Sequence, residues 1–83
     1  MKIRYFAWLR ERLDLAEEEV SPPLSVLTIA DLIGWLKSRD AVAEAAFSNP
    51  RLIKAAIGTE IVAHSAPIAG ATVIALFPPM TGG

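Results

Sequence analysis

Thr72-Val73-Ile74-Ala75-Leu76-Phe77 is an unbroken, largely apolar run that stops at Pro78-Pro79, and the chain then closes with Met80-Thr81-Gly82-Gly83. A strand with one wet face would alternate; apolar residues on both faces predict a strand buried within a sheet. Beyond the rigid Pro-Pro spacer the last residues look like a tail built for insertion. Glycine has no Cβ, so Gly82-Gly83 can lie extended in a channel too narrow for any other residue. The terminal carboxylate then sits on an unhindered carbon, the best candidate for a reacting group. Glycine tails also occur as frayed ends, so the weight comes from the placement after a buried strand. The expected division is a domain over residues 1–77 and a flexible tail over 78–83.

The other elements follow outward from that strand. Lys2 to Trp8 alternates, with Ile3, Tyr5 and Ala7 on one face and Arg4, Phe6 and Trp8 on the other, which predicts a second long strand. Leu9 to Leu15 mixes charges with three leucines and reads as a tight connection. Glu17-Glu18-Glu19-Val20 reads as a short strand hairpinned to the first, its charges suited to a solvated edge. Thr28 as N-cap with Asp31 three residues on is a variant capping box. Ile29, Leu32, Ile33 and Leu36 then fall on one helical face. Gly34 weakens that helix and is expected to let it approach the sheet. Lys37 and Arg39 suit the helix C-terminus. Asp40 can cap a shorter helix over Ala41 to Phe47, ended by Ser48-Asn49-Pro50. Leu52 to Ile57 and Glu60 to Val62 read as strands joined at Gly58-Thr59 by a type II′ turn. Ala63 to Gly70 is a loop.

Strand, strand, helix, short helix and three strands make an α+β domain with one main helix packed on one face of a mixed sheet. The first and last strands are the longest and most apolar, so they should lie parallel at the centre. That is the β-grasp, or ubiquitin-like, architecture.

Composition bounds what such a domain can do. The 83 residues make one domain with a single core. There is no cysteine and one histidine, so a structural zinc site and a thiol nucleophile are excluded. The chain is 53% hydrophobic and 20% charged, more apolar than so small an interior hides, which implies a patch that another protein covers. The net charge of −1 with no basic stripe argues against nucleic acid. No signal peptide or membrane-length apolar run is evident, so a cytoplasmic protein with no membrane partner is expected.

No group of side chains looks able to run a reaction alone. His64 has no carboxylate, serine or cysteine spaced to join it and reads as a loop-packing residue. Glu17, Glu18 and Glu19 alternate faces on a strand and cannot converge as a catalytic pair. Trp8 and Trp35 fit core or interface packing. A carrier whose carboxylate is activated elsewhere needs only a fold, a docking face and a slim tail.

Four stretches carry a resemblance that spans essentially the whole chain. They are Tyr5-Phe6-Ala7-Trp8-Leu9-Arg10-Glu11, Thr28-Ile29-Ala30-Asp31-Leu32, Leu52-Ile53-Lys54-Ala55-Ala56-Ile57 and Ala75 to Gly83. Together the chain resembles the MoaD-like small subunits of molybdopterin synthase, ubiquitin-like sulfur carriers of molybdenum cofactor synthesis. The resemblance implies that an ATP-dependent activating enzyme adenylates Gly83 and that the carboxylate becomes a thiocarboxylate. Pro78, Pro79, Met80, Thr81 and Gly82 would thread into the large subunit, which supplies the catalytic residues. Sulfur would pass there to a cyclic pyranopterin monophosphate, in a heterotetramer with two carriers. The chain itself would bind no metal and no cofactor; ATP belongs to the activating enzyme. The expected docking face is the sheet surface around Phe6, Ile61 and Phe77. Gly70-Ala71-Thr72, Ile57-Gly58 and Met80 depart from the family's usual residues. Carriers for thiamine synthesis, usually shorter and without Pro-Pro, or for tRNA thiolation share the fold. A protein modifier conjugated through Gly83 is the competing class, and an inert ubiquitin-like interaction domain a third.

Overall fold

The computed structural model describes residues 1–79. Five strands form one sheet: β1 (Lys2–Tyr5), β2 (Glu17–Glu19), β3 (Lys54–Ile57), β4 (Glu60–Val62) and β5 (Val73–Phe77). Their order is β2-β1-β5-β3-β4. β5 is central and runs parallel to β1 and antiparallel to β3, as its apolar faces predict. Three helices, α1 (Ala7–Leu13), α2 (Ile29–Lys37) and α3 (Ala41–Ala46), complete the β-grasp with a 3-10 turn at Pro50–Leu52.

Alternation sends Ile3, Tyr5, Ile74, Leu76 and Ala55 inward, where Ile29, Leu32, Ile33 and Leu36 of α2 and Leu9 of α1 meet them. Phe47 is fully buried, and its ring stands 6.3 Å from that of Tyr5 in a tilted pair. Each such large side chain contributes about 1.5–3 kcal/mol by leaving water.

The start of α2 shows why this helix was legible. Thr28 accepts from the Asp31 N–H, and the Asp31 carboxylate accepts from the Thr28 N–H, closing the capping box. The first two helical N–H groups, of Ile29 and Ala30, donate to the carbonyls of Ala66 and His64. The Ala63 to Gly70 loop is thus the helix's hydrogen-bonding partner, and none of those N-terminal donors is orphaned. Asp40 caps α3 through the Ala43 N–H at 2.7 Å. Gly58 has φ +61 between the paired residues Ile57 and Glu60, as a type II′ turn requires.

Four expectations are corrected. Ala7 and Trp8 do not continue β1, and Leu9 to Leu13 is not a connection: both belong to α1. Ala7 takes φ +53 and breaks the strand, and Phe6 gives no side-chain cap to announce a helix. The helix ends with the Asp14 N–H on the Glu11 carbonyl and the Leu15 N–H on the Arg10 carbonyl. Asp14 stands in the left-handed position that glycine commonly fills. Leu52 closes the 3-10 turn, and β3 begins only at Lys54. Gly34 does not serve close packing: it is exposed, and a Cβ there would meet nothing within 4 Å.

Candidate functional site

The centre of interest is the root of the tail. β5 is held on both sides to its end: Leu76 pairs with Tyr5 and Ala55, and Phe77 with Lys54. The Phe6 N–H adds a bond to the Leu76 carbonyl at 3.2 Å. Pro78 and Pro79, both half-buried, follow directly. Neither has an N–H, so the ladder cannot be prolonged on that side. A residue preceding proline is also biased away from the helical region, so no helix starts at Phe77 or Pro78. Met80, Thr81, Gly82 and Gly83, including the carboxylate singled out above, lie outside the described residues.

Beside this root is the sheet face turned away from the helices. In register across it run Arg4, Ala75, Ala56 and Ile61, from β1 through β5 and β3 to β4. The two central alanines leave the middle of the face low and flat. Ile61 stands out at 69% exposure and Phe6 at 40%, with half-buried Phe77 on the strand between them. All three residues expected at a partner interface are therefore on one surface, next to where the tail leaves. Arg4 and Lys54 border it, and the Arg4 guanidinium lies 5.6 Å from the Phe6 ring centre.

The acidic run of β2 divides between the two faces. Lys2 pairs with Glu17 at 3.1 Å and the N-terminal ammonium with Glu19 at 3.4 Å. Glu18 turns to the helix side, where it accepts from the Tyr5 hydroxyl at 2.7 Å and from both terminal nitrogens of Arg39 at 2.8 Å. The hydrogen bonds from Arg39 hold the Glu18 carboxyl below the usual range against its partial burial. Burial, helped by the neighbouring carboxylate, pushes the Tyr5 hydroxyl well above its ordinary value. The triad fastens the β2 edge to the end of α2 and is structural rather than chemical. It also places Arg39 away from the α2 carbonyls, where Lys37 remains.

His64 is satisfied by the Ile53 carbonyl, 2.7 Å from its Nε2, the loop-packing role expected of it. Among the described residues no group of three or more His, Cys, Asp or Glu side chains could hold a metal ion. No helix among them is long and apolar enough to cross a membrane. What the arrangement can do chemically is hold a chain end rigidly at its root and present a flat apolar surface beside it. Sequence reasoning missed the surroundings of that root on the helix side, where Trp8, Arg12 and Leu52 come together. The signal was present in Trp8, Leu9 and Leu13, spaced for a helix, but seven residues make a short pattern.

The sequence pattern of the ThiS family matches residues 3–83. No curated protein matches the chain. Among solved structures, it is similar to one described as "Putative molybdopterin converting factor, subunit 1 from Pyrococcus furiosus". That likeness has a TM-score of 0.74 and 25% identity over 95% of each chain. It is also similar to SAMP1 from Haloferax volcanii, with a TM-score of 0.72 and 24% identity over 100% of this chain and 98% of that one. At that identity the second likeness bears on the fold alone.

Proposed function

The chain belongs to the ThiS family, and from that membership we propose that it is the sulfur-carrying small subunit of a molybdopterin synthase. The observation that carries this reading is that Gly82 and Gly83 follow in sequence, five and six residues on, from Phe77 of a central strand that is bonded on both sides and borders an open apolar sheet face. The likeness to the Pyrococcus furiosus protein, described as a molybdopterin converting factor subunit, supports molybdopterin over the other uses of this fold.

In the proposed cycle an ATP-dependent enzyme joins the Gly83 carboxylate to the α-phosphorus of ATP and releases pyrophosphate. The carboxylate is a poor electrophile, and the mixed anhydride gives it AMP as a leaving group. A sulfur donor displaces AMP, leaving a thiocarboxylate. Pro78 to Gly82 then deliver it into the large subunit, whose residues direct the sulfur onto cyclic pyranopterin monophosphate. Hydrolysis restores the carboxylate, and two such deliveries furnish both sulfurs of the dithiolene. Phe6, Ile61 and Phe77 form the docking face, and two carriers serve one dimer of large subunits in the cytoplasm.

Intact mass after co-expression with the activating enzyme and a sulfur source tests the reading. The expected product is heavier by the difference between one sulfur and one oxygen, and Gly83 removal abolishes it. Adducts in which Gly83 is joined to lysines of other proteins would replace this reading with that of a modifier.

A further inference from the structure

We infer that the depression between α1 and the turn after α3 is a second contact site for the protein that receives the tail, accepting an apolar side chain bordered by carboxylates. The inference rests on the tail being inserted into another protein, as proposed above. The depression has a volume of about 360 Å³ and is lined by Trp8 and Arg12 of α1, Ala46 at the end of α3, Asn49 capping the 3-10 turn, and Leu52 of that turn.

Its position follows from the sheet. β1 and β3 are the two neighbours of β5. β1 passes through Phe6 directly into α1, while the 3-10 turn leads through Ile53 into Lys54, opposite Phe77. Both walls of the depression therefore arise at the sheet end from which the tail departs. It continues around that edge from the Phe6 and Phe77 surface. A protein that takes in the tail meets both.

The chemistry names the visitor. Trp8 is half-buried, with the Arg12 guanidinium 5.3 Å from its ring centre, and Leu52 is 46% exposed. An apolar floor with a cation at its lip suits an apolar anchor next to an acid. Charge supports the same choice. Lys2, Arg39 and the N-terminal ammonium are matched with Glu17, Glu18 and Glu19. Among the described residues, Lys37 at the end of α2 and five others, Arg4, Arg10, Arg12, Arg51 and Lys54, have no carboxylate within salt-bridge distance. Those five, unlike Lys37, lie on the elements that surround the tail root. Opposite charge across an interface steers encounter and rejects wrong partners. A second copy of the chain is disfavoured as the occupant, because a two-fold contact would set these cations against themselves.

The test measures binding of the full chain, in turn, to the adenylating enzyme and to the synthase large subunit, comparing Arg12→Glu, Leu52→Asp and Ile61→Asp with the parent. Thermal unfolding checks that each variant is folded. Arg12→Glu and Leu52→Asp are each expected to weaken at least one of the two complexes by about tenfold, and Arg12→Glu to flatten its salt dependence. If both bind like the parent while Ile61→Asp is weakened, the second site is refuted and the sheet-face reading stands. If Ile61→Asp also binds like the parent, the docking reading beneath both fails. Salt-sensitive binding of a single-stranded oligonucleotide, lost in Arg12→Glu, with both protein complexes unaffected, would also overturn the assignment.

Discussion

Removing the Glu18 carboxylate should destabilise the fold by an amount that depends on Tyr5. The Tyr5 residue is 1% exposed and its hydroxyl donates only to Glu18, so Glu18→Ala leaves a buried donor unpaired. Such an orphan costs about 1–3 kcal/mol. Arg39 also loses a bidentate partner, but its side chain is 32% exposed and can rehydrate, so that loss adds about 0–1 kcal/mol. The expected total is about 1–4 kcal/mol, a fall in Tm of roughly 4–8 °C for each kcal/mol in a domain of this size. Tyr5→Phe removes the donor and one charge-assisted bond, costing about 1.5–3 kcal/mol. In the Tyr5→Phe background there is no orphan to create, so Glu18→Ala should then cost at least about 1 kcal/mol less than in the parent. Urea unfolding of the parent, both single variants and the double variant gives this coupling directly. Additive effects within about 0.5 kcal/mol would show that the hydroxyl and the carboxylate act independently, and the reasoning would be refuted.

The same groups set a pH dependence. Glu18 is held below its ordinary value near 4.5, so its contribution is complete above that pH and is lost as pH falls below it. Tyr5 is raised above its ordinary value near 10, so its contribution is complete below pH 10 and declines as pH rises beyond it. Urea midpoints measured across pH should show both shoulders, and Tyr5→Phe should remove the alkaline one. Gly34→Ala, with open space for its Cβ, should stabilise by about 0.8–1 kcal/mol; an unchanged or lower Tm would mean that something unseen lies over that helix face. Deleting Gly83 should leave Tm within about 1 °C of the parent, as expected for loss of a terminal residue, while cofactor synthesis in complementing cells stops.

What was legible in the chain was whatever is decided locally. The Thr28 and Asp31 box, the Asp40 cap and the Gly58 turn each require a particular residue at a fixed offset, and each is where the spacing puts it. The Thr72 to Phe77 run announced the sheet centre because its apolar residues serve two faces, Ile74 and Leu76 buried under the helices and Val73, Ala75 and Phe77 half-buried on the apolar outer face. α1 was hidden because alanine does not advertise the positive φ that Ala7 adopts, and Asp14 replaces the glycine that would have marked the end. Glu18 read like its two neighbours; strand alternation turns it to the helix side, but its partners there, Tyr5 and Arg39, lie 13 and 21 residues away. The cations around the tail root are spread from Arg4 to Lys54, so only the folded order of the sheet gathers them.

β5 is the middle strand, and its last residue is the root of the tail. Tension on the chain end is therefore carried in shear by two ladders at once, against β1 and against β3. Peeling one strand from an edge breaks bonds in succession, whereas here a whole set must slip together. The end of the chain can be drawn into a narrow passage and withdrawn again without unravelling the body behind it. A mechanical unfoldase engaging this end would meet the strongest grip in the molecule first.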